Sequence, residues 1–201
     1  MTTLYIWRHP KPLAAAGICL GHTDMAVDSR KLKRLAHHIE RFVRVRQLPK
    51  VIWVSPLQRS FKVGQLLAQR GFVCHVAPEL AEISFGAWDG RPWTQITKEE
   101  IDAWCANFAH FAPDSGESVR QLFHRVERWL NARLIEQSII STSIDMPILA
   151  VGHAGWITAA KMIMAGEPVP QLATEWSAPV VYNQLSILNT KKRFKKPNAN
   201  A

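Results

Sequence analysis

The residues best suited to chemistry in this sequence follow short apolar segments of strand type. Arg8 and His9 close the first segment, and Pro10 then prevents the strand from continuing. Arg59 lies one turn into the helix predicted after a second segment, and His153 directly follows a third. Guanidinium and imidazole groups are suited to binding an anion. Open α/β sheets bind their ligands at the carboxyl ends of the parallel strands, which is where these groups lie. Since Arg-His at one strand end is also common without function, the prediction depends on the elements that position the residues.

Segments of strand and helix type alternate along the chain. The apolar runs predict strands at residues 3–8, 51–54, 72–76, 147–152 and 180–188. The 3.6-residue periodicity and the Gly, Pro and Ser punctuation predict helices at residues 29–46, 56–70, 97–109, 119–137 and 154–165. For the second helix, Ser55 is the predicted N-cap and Pro56 the first helical residue. Continuous apolar strands joined by helices predict a mostly parallel sheet covered on both faces, which is a three-layer α/β/α fold.

The chain has 201 residues, a length that favours one domain with a sizeable core. We assign residues 1–190 to this domain. Residues 78–114, which are irregular and rich in aromatic side chains, are interpreted as a cap or insertion over one edge of the sheet. Residues 191–201 form a basic tail that supplies five of the nine net positive charges. We interpret the tail as a disordered terminus; nucleic acid or an anionic membrane is the alternative partner.

Composition also limits the location and the partners. The three cysteines are an odd number without CxxC spacing, which argues against a disulfide framework and a zinc site and favours a reducing compartment. No stretch is long and apolar enough for a membrane span, and no signal peptide is recognisable. We therefore expect a cytoplasmic protein with no cofactor, no metal and no membrane or nucleic-acid partner; a homodimer is compatible with the sequence.

Four basic side chains should meet at one edge of the predicted sheet. The strands deliver Arg8, His9, Arg59 and His153 to their carboxyl ends, and those ends converge on one crevice. Two predicted helices begin at the same edge, where their free N–H groups also favour negative charge. The sequence therefore predicts a pocket for a dianion.

Four short segments, in this order, resemble motifs of the histidine phosphatase superfamily, whose fold is phosphoglycerate-mutase-like. They are Arg8–Pro10, Ser55–Arg59, Glu82–Gly86 and Val151–Gly155, and together they span most of the chain. The resemblance implies a metal-independent phosphomonoesterase that works through a phosphohistidine intermediate.

The same resemblance implies a role for each residue of these motifs. His9 would be the nucleophile, and Glu82 the general acid and base, with Glu79 as the nearest alternative carboxylate. Arg8, Arg59 and His153 would bind the phosphoryl group.

The sequence departs from the family pattern in three places, and the loop after the nucleophile is affected most. Pro10 replaces the usual Gly, Ala154 replaces the first Gly after the second His, and residues 11–14 lack the family's Asn. Lys11 or the backbone of residues 21–23 could substitute for that Asn.

Two further residues lie in that loop. Gly21 and His22 are candidates for substrate contact because they lie close to the predicted site in the chain and match a segment of one group within the superfamily. This group comprises the α-ribazole phosphatases of cobalamin nucleotide-loop assembly. Similarity to it also includes the acidic segment through Trp88 and the pair Gly116-Glu117 followed by residues 125–128.

The resemblance to this group implies hydrolysis of α-ribazole 5′-phosphate. The short segment 78–114 favours a phosphatase over a mutase, which usually carries a longer insertion there. The alternatives are a phosphatase of the same superfamily acting on a sugar phosphate, a nucleotide or a phosphohistidine protein, and a non-catalytic module that binds anions or nucleic acid. The cap aromatics Trp88, Trp93 and Trp104 could stack on a substrate base or close a small core.

Overall fold

The computed structural model of the chain describes residues 2–140 and 146–189. Residues 191–201, interpreted above as a basic tail, lie outside the described residues, so their interpretation stays a prediction.

Strands and helices alternate through the described residues. The strands are β1 (Thr3–Arg8), β2 (Val51–Val54), β3 (Val73–Val76), β4 (Ile148–Gly152) and β5 (Leu185–Asn189). The helices are α1 (Ser29–Val45), α2 (Gln58–Ala68), α3 (Lys98–Ala106), α4 (Val119–Ile140) and α5 (Ala154–Ala165). Most of these elements agree with the predicted ones to within a few residues.

The five strands form one sheet in the order β3-β2-β4-β1-β5. The first four in this order are parallel neighbours, and β5 runs antiparallel to β1. The register between β1 and β4 pairs Arg8 with Gly152. Consequently the next residues in the chain, His9 and His153, leave the sheet side by side.

Apolar side chains of β1 alternate between two cores, one on each face of the sheet. Leu4 and Ile6 pack with α4 and α5, whereas Trp7 packs with α1 and α2. The central strand β4 is buried along its whole length, as expected for a parallel strand covered on both faces. The predicted three-layer α/β/α architecture with a mostly parallel sheet is confirmed.

Helix α1 shows how its sequence specifies one buried face. Its apolar residues recur every three or four positions, and the opposite face is basic. The carboxylate of Asp28 begins the helix by accepting a hydrogen bond from the Arg30 backbone N–H at 2.8 Å. The buried residues of the helix are Leu32, Leu35, Ala36, Ile39 and Val43.

The start of α2 differs from the prediction that Ser55 is the N-cap and Pro56 the first helical residue. The helix begins at Gln58, with Leu57 at the N-cap position and no side-chain cap. The Ser55 hydroxyl accepts a hydrogen bond from the Leu57 backbone N–H at 3.1 Å and lies 2.7 Å from Nε2 of His153. The serine therefore closes a turn before the helix and contacts the second histidine.

The last strand is shorter at its start than the predicted span 180–188. The Arg8 side chain donates to the carbonyl of Val180, and the Asn183 N–H donates to the Arg8 carbonyl at 3.1 Å. Asn183 has a φ of 62°, a left-handed conformation that interrupts a strand. The apolar residues before β5 therefore contact the end of β1 instead of extending the sheet.

Residues 78–114 divide their apolar side chains between two cores. Leu80 and Phe108 join the core beneath α4 and α5, while Trp88 and Cys19 belong to a smaller cluster. Burial raises the pKa of the Cys19 thiol to about 12, with a smaller contribution from Asp89. The expectation that the cap aromatics close a small core is met by Trp88, and Trp93 and Trp104 pack against the same cluster.

Among the described residues, none of the helices combines the length and the hydropathy that crossing a membrane requires. The expectations of a cytoplasmic location, of no nucleic-acid partner and of compatibility with a homodimer stay predictions.

Val43 and Val45 allow a matched test of which face of α1 is buried. Val43 is 1% exposed and Val45 is 70% exposed. We expect Val43→Ala to lower the free energy of unfolding by about 2 kcal/mol, because buried methyl groups are lost and a cavity remains. Val45→Ala should change it by less than about 0.5 kcal/mol. Urea denaturation measures both values, and equal losses would contradict the orientation of α1.

Candidate active site

The two predicted site histidines are neighbours at the carboxyl edge of the sheet. Their ring centroids are 4.9 Å apart, and the rings are inclined by 54°. The backbone N–H of His9 donates to the Gly152 carbonyl at 3.0 Å, which continues the β1–β4 ladder by one residue. Both side chains are almost fully buried, with His9 3% exposed and His153 fully enclosed.

The contacts of His9 assign its tautomer. Nδ1 lies 2.8 Å from the Pro10 carbonyl oxygen, which only accepts, so Nδ1 carries the proton. Nε2 accepts a hydrogen bond from Nε of Arg59 at 3.3 Å, which requires a free lone pair. Burial, and then the charge of Arg59, lower the pKa of His9 well below its ordinary value. The imidazole is therefore neutral at neutral pH, with its lone pair on Nε2.

Arg59 is almost completely buried and connects His9 to the loop at residues 21–23. While Nε donates to His9, one terminal nitrogen donates to the Thr23 carbonyl at 3.0 Å and the other to the Gly21 carbonyl. Gly21 is packed closely: an added Cβ would lie 2.4 Å from the Ile83 carbonyl oxygen. Gly21 therefore positions Arg59 through its backbone and does not line the cavity described below.

Asp89 holds this loop in place. Its carboxylate accepts the backbone N–H groups of Gly21, at 3.1 Å, of Thr23, at 3.0 Å, and of His22. Burial raises the pKa of the Asp89 carboxyl, but the hydrogen bonds from the loop outweigh burial, and the pKa lies below its ordinary value. The charged carboxylate thus fixes the loop carbonyls that hold Arg59.

Arg8 lies against the ring of Tyr182, with its guanidinium carbon 3.6 Å from the ring centroid. One terminal nitrogen donates to the Val180 carbonyl, while the buried Nε has no hydrogen-bond partner. The Tyr182 ring also contacts His9 edge-on, at 5.5 Å between centroids. Arg8 therefore keeps an N–H donor without a partner, and it shares the Tyr182 ring with His9.

His153 has a similar unused atom. Its Nε2 lies 2.7 Å from the hydroxyl of Ser55, and its buried Nδ1 has no partner. The Ser55 hydroxyl, which also accepts from the Leu57 N–H, can either donate to Nε2 or accept from it. Burial, followed by the charge of Arg59, lowers the pKa of His153 well below its ordinary value. The imidazole of His153 is therefore neutral at neutral pH.

Glu82 is buried where α5 begins. Its carboxylate accepts backbone N–H groups from Gly155 at 3.1 Å, Trp156 at 3.2 Å and Ile83 at 3.1 Å. Gly155 permits this approach, because a Cβ there would lie 2.6 Å from Oε1 of Glu82. The first turn of α5, with its unpaired N–H groups, thus fixes the carboxylate.

Arg125 holds the backbone around Glu82. Residue 125 belongs to the segment 125–128, which resembles a family motif in the sequence, but no contact was predicted for this residue. Its guanidinium donates to the carbonyls of Glu79, Ala81 and Glu82 at 2.7, 2.8 and 3.3 Å, and it is paired with Glu117 at 2.6 Å. Glu79, the alternative acid, does not line the cavity.

These residues border a cavity of about 390 Å³. Arg8, His9 and Glu82 line it directly, and Arg59 and His153 contact His9 without lining it. His22 is exposed; its Nε2 donates to the Glu82 carbonyl at 2.8 Å, and it does not line the cavity. The structure thus brings five predicted residues together and places Gly21 and His22 in the supporting loop.

Neither substitute for the missing loop Asn has an established contact in the cavity. The N–H groups of residues 21–23 all donate to Asp89, and Lys11 is exposed. Within residues 2–140 and 146–189, no group of three or more His, Cys, Asp or Glu side chains is arranged to hold a metal ion.

Sequence reasoning missed Asp89, Ser55 as a partner of histidine, and Tyr182. Asp89 precedes Gly90, and this Asp-Gly pair is a turn signal that could have drawn attention to it. Tyr182 lay within a predicted strand, and no local signal indicated its contact with Arg8.

Comparisons with known proteins agree with this site and fold. A family model described as the histidine phosphatase superfamily (branch 1) matches residues 4–200. The adenosylcobalamin/α-ribazole phosphatase of Escherichia coli (strain K12) is 28% identical over 169 residues, which are 82% of this chain and 72% of that protein.

Two solved structures illustrate the structural similarity. The α-ribazole phosphatase from Shigella flexneri has a TM-score of 0.76 and 26% identity, and the match covers 95% of this chain and 92% of that chain. A mycobacterial glucosyl-3-phosphoglycerate phosphatase has a TM-score of 0.74 and 25% identity, over 94% of this chain and 90% of that chain.

A parallel α/β sheet with a histidine, an arginine and a carboxylate around a cavity at its carboxyl edge suits an enzyme that acts on phosphate esters. The chain belongs to the histidine phosphatase superfamily, as the family match over nearly its whole length shows. It is a phosphatase for small-molecule phosphate substrates, and its similarity to α-ribazole phosphatases, inferred from the motifs, is confirmed.

Asp89 and Asp28 allow a test of whether the loop contact acts on catalysis. Both carboxylates accept backbone N–H groups, but Asp28 caps α1. In Asp89→Asn only one oxygen can accept, so the loop that holds Arg59 is released in part. We expect kcat to fall about tenfold or more, because positioning of the reacting groups dominates phosphoryl transfer. Asp28→Asn is the control for the same change of side chain at a carboxylate away from the site, and it should retain kcat. Equal kcat in the two folded variants would contradict the positioning role.

The buried histidines predict how stability depends on pH. In the unfolded chain both imidazoles have a pKa of about 6.5, and in the folded chain both pKa values are lower. Below about pH 6.5 the unfolded state therefore binds protons that the folded state does not bind. The free energy of unfolding should fall with decreasing pH, by at most about 1.4 kcal/mol per pH unit for each imidazole.

Urea denaturation of His153→Gln between about pH 7.5 and 5.5 measures how much His153 contributes to the pH dependence of the free energy of unfolding. The fall in unfolding free energy should be shallower than in wild type. His110→Gln, at an exposed position, should match the wild-type slope. A His153→Gln curve parallel to that of wild type would contradict the lowered pKa.

Proposed function

We propose that this phosphatase hydrolyses a phosphomonoester through a phosphohistidine formed at Nε2 of His9. The observation that carries the proposal is the pair of contacts on the imidazole. Nδ1 donates to the Pro10 carbonyl at 2.8 Å, and Nε2 presents its lone pair. A neutral, buried imidazole with a fixed tautomer is the form that can attack phosphorus.

Attack on phosphorus uses the same Nε2 lone pair that accepts the hydrogen bond from Arg59. As Nε2 bonds to phosphorus, the Arg59 N–H loses its acceptor and is free to donate to a phosphoryl oxygen. Arg8 lines the same cavity as His9, and its unpartnered Nε–H is a further donor. His153, whose ring lies next to that of His9, would add another donor when its unpartnered Nδ1 carries a proton. Donors that are already in place where charge develops stabilise the transition state without reorganisation.

Glu82 is proposed as the group that moves protons. When the ester P–O bond breaks, a protonated Glu82 would give its proton to the leaving alkoxide. In the second step the carboxylate would take a proton from water while the water oxygen bonds to phosphorus and the P–N bond breaks. This step restores neutral His9 and releases inorganic phosphate. The carboxylate is anchored to the first turn of α5 and lines the same cavity as His9, which supports this role.

We propose α-ribazole 5′-phosphate as the substrate. The Escherichia coli and Shigella flexneri relatives are named as α-ribazole phosphatases, and the chain matches that group in several segments. The cavity volume of about 390 Å³ is within the range of small-molecule sites.

The proposal is tested by trapping the phosphoenzyme. Wild type is mixed rapidly with para-nitrophenyl phosphate in EDTA, quenched at alkaline pH and analysed by intact-protein mass spectrometry. Glu82→Gln should accumulate a species heavier by one phosphoryl group, because this leaving group needs no proton but water still needs a base. His9→Ala should form no such species and should lose at least about a thousandfold in turnover.

The matched control is His110→Ala, which removes an exposed histidine and should turn over like wild type. Near-normal turnover by folded His9→Ala would overturn the phosphohistidine mechanism. Phosphate release from α-ribazole 5′-phosphate, assayed alongside, tests the substrate. Release no faster than from para-nitrophenyl phosphate would contradict that substrate and leave the mechanism standing.

A further inference from the structure

Polar and apolar side chains are separated within the cavity. Its charged or ionisable side chains are those of Arg8, His9, Glu82 and Tyr182, and ring or cation–π contacts connect the first two with Tyr182. Beyond this group the lining is apolar or aromatic, with the hydroxyl of Thr158 as a polar exception. No lysine and no second arginine lines the cavity among the described residues.

Four aromatic side chains form a continuous wall of this apolar part, which we call the aromatic wall. The members are Trp93, Trp104, Phe108 and Trp176. The planes of Trp93 and Trp104 are nearly parallel, at 14°, with centroids 6.2 Å apart. Phe108 connects Trp104, at 5.4 Å, to Trp176, at 5.9 Å. All four rings line the cavity, so the wall faces the space next to the phosphoryl site.

The aromatic wall comes from two distant parts of the chain. Trp93, Trp104 and Phe108 belong to the cap, while Trp176 lies in the segment between α5 and β5. That segment also contributes Ala173, Pro179 and Tyr182 to the cavity lining. The space beside His9 is therefore bounded by apolar surface from both sides.

We propose that the aromatic wall is a subsite for the alcohol part of the substrate, and that it selects a flat, apolar or aromatic alcohol without a second charged group. The inference rests on the phosphohistidine function proposed above, since the subsite is defined relative to His9. Apolar flat groups gain from contact with indole and phenyl faces. A carboxylate or second phosphate would lose its water here without gaining a cation.

The subsite thus separates this chain from phosphatases whose substrates carry a second anion. The esters it favours have one phosphate and an aromatic body bonded through a short linker. Among the residues of the aromatic wall, Trp176 is the most suitable for substitution. It lies between α5 and β5 and is only partly buried, so that its removal should disturb the fold least.

Three phosphate esters of primary alcohols test the proposal. They are 2-naphthylmethyl phosphate, its 6-carboxylate derivative and ethyl phosphate. In wild type, kcat/KM for the naphthylmethyl ester should exceed the values for the other two by about tenfold or more. Comparison of the naphthylmethyl ester with its 6-carboxylate derivative isolates the effect of the added charge, because the two esters share the same ring system and the same type of leaving group.

Variants locate the effect on the wall. Trp176→Ala should lower the naphthylmethyl-to-ethyl ratio of kcat/KM by about tenfold. Trp53→Ala removes a partly buried tryptophan of β2 that does not line the cavity, and it should keep the wild-type ratio. A wild-type ratio near one, a carboxylate that is tolerated, or a ratio unchanged in Trp176→Ala would each overturn the proposal.

Binding of non-hydrolysable analogues to wild type separates the subsite from the chemistry and needs no variant to fold. Calorimetric titration should show that 2-naphthylmethylphosphonate binds about tenfold or more tightly than ethylphosphonate. Tighter binding without hydrolysis of any ester would overturn the proposed function and support the subsite. Equal binding, with His9-dependent hydrolysis of both esters, would overturn the subsite and support the proposed function.

Discussion

The parallel pairing of β1 with β4 is the constraint on which the rest of the site depends. It pairs Arg8 with Gly152 and thereby places His9 and His153 with ring centroids 4.9 Å apart. Because β1 and β4 are inner strands buried between two helical layers, a shift of register would move every apolar side chain to the wrong core. The packing of the whole domain therefore stabilises the positions of both histidines.

Around this pair, the groups proposed to take part in the reaction are held by backbone atoms. The Pro10 carbonyl sets the tautomer of His9, loop carbonyls hold Arg59, and the first turn of α5 holds Glu82. Backbone groups within a packed fold cannot rotate away as side chains can. They therefore provide the preorganisation that phosphoryl transfer requires, while Asp89 secures the loop from behind.

The cavity combines two environments that act on different parts of an ester. Burial of the cationic and imidazole end strengthens its electrostatic interactions with a phosphoryl group and keeps His9 neutral. The aromatic wall offers no compensating charge, so discrimination between alcohols depends on apolar contact there. A histidine phosphatase can thus share its phosphoryl chemistry with relatives while the cap and the segment before β5 set its own preference.

The sequence by itself determined the layered fold and the order of most elements, and it predicted the five side chains that the structure brings together, because these depend on local patterns. Buried strands appear in the sequence as apolar runs, and the five residues lie within recognisable motifs: Arg8, His9, Arg59, Glu82 and His153. Only the tertiary structure decided which partners these side chains use. Ser55 reads locally as a helix cap, and residues 180–184 read as a strand. Contacts with His153 and with the end of β1, made by residues distant in sequence, override those local preferences.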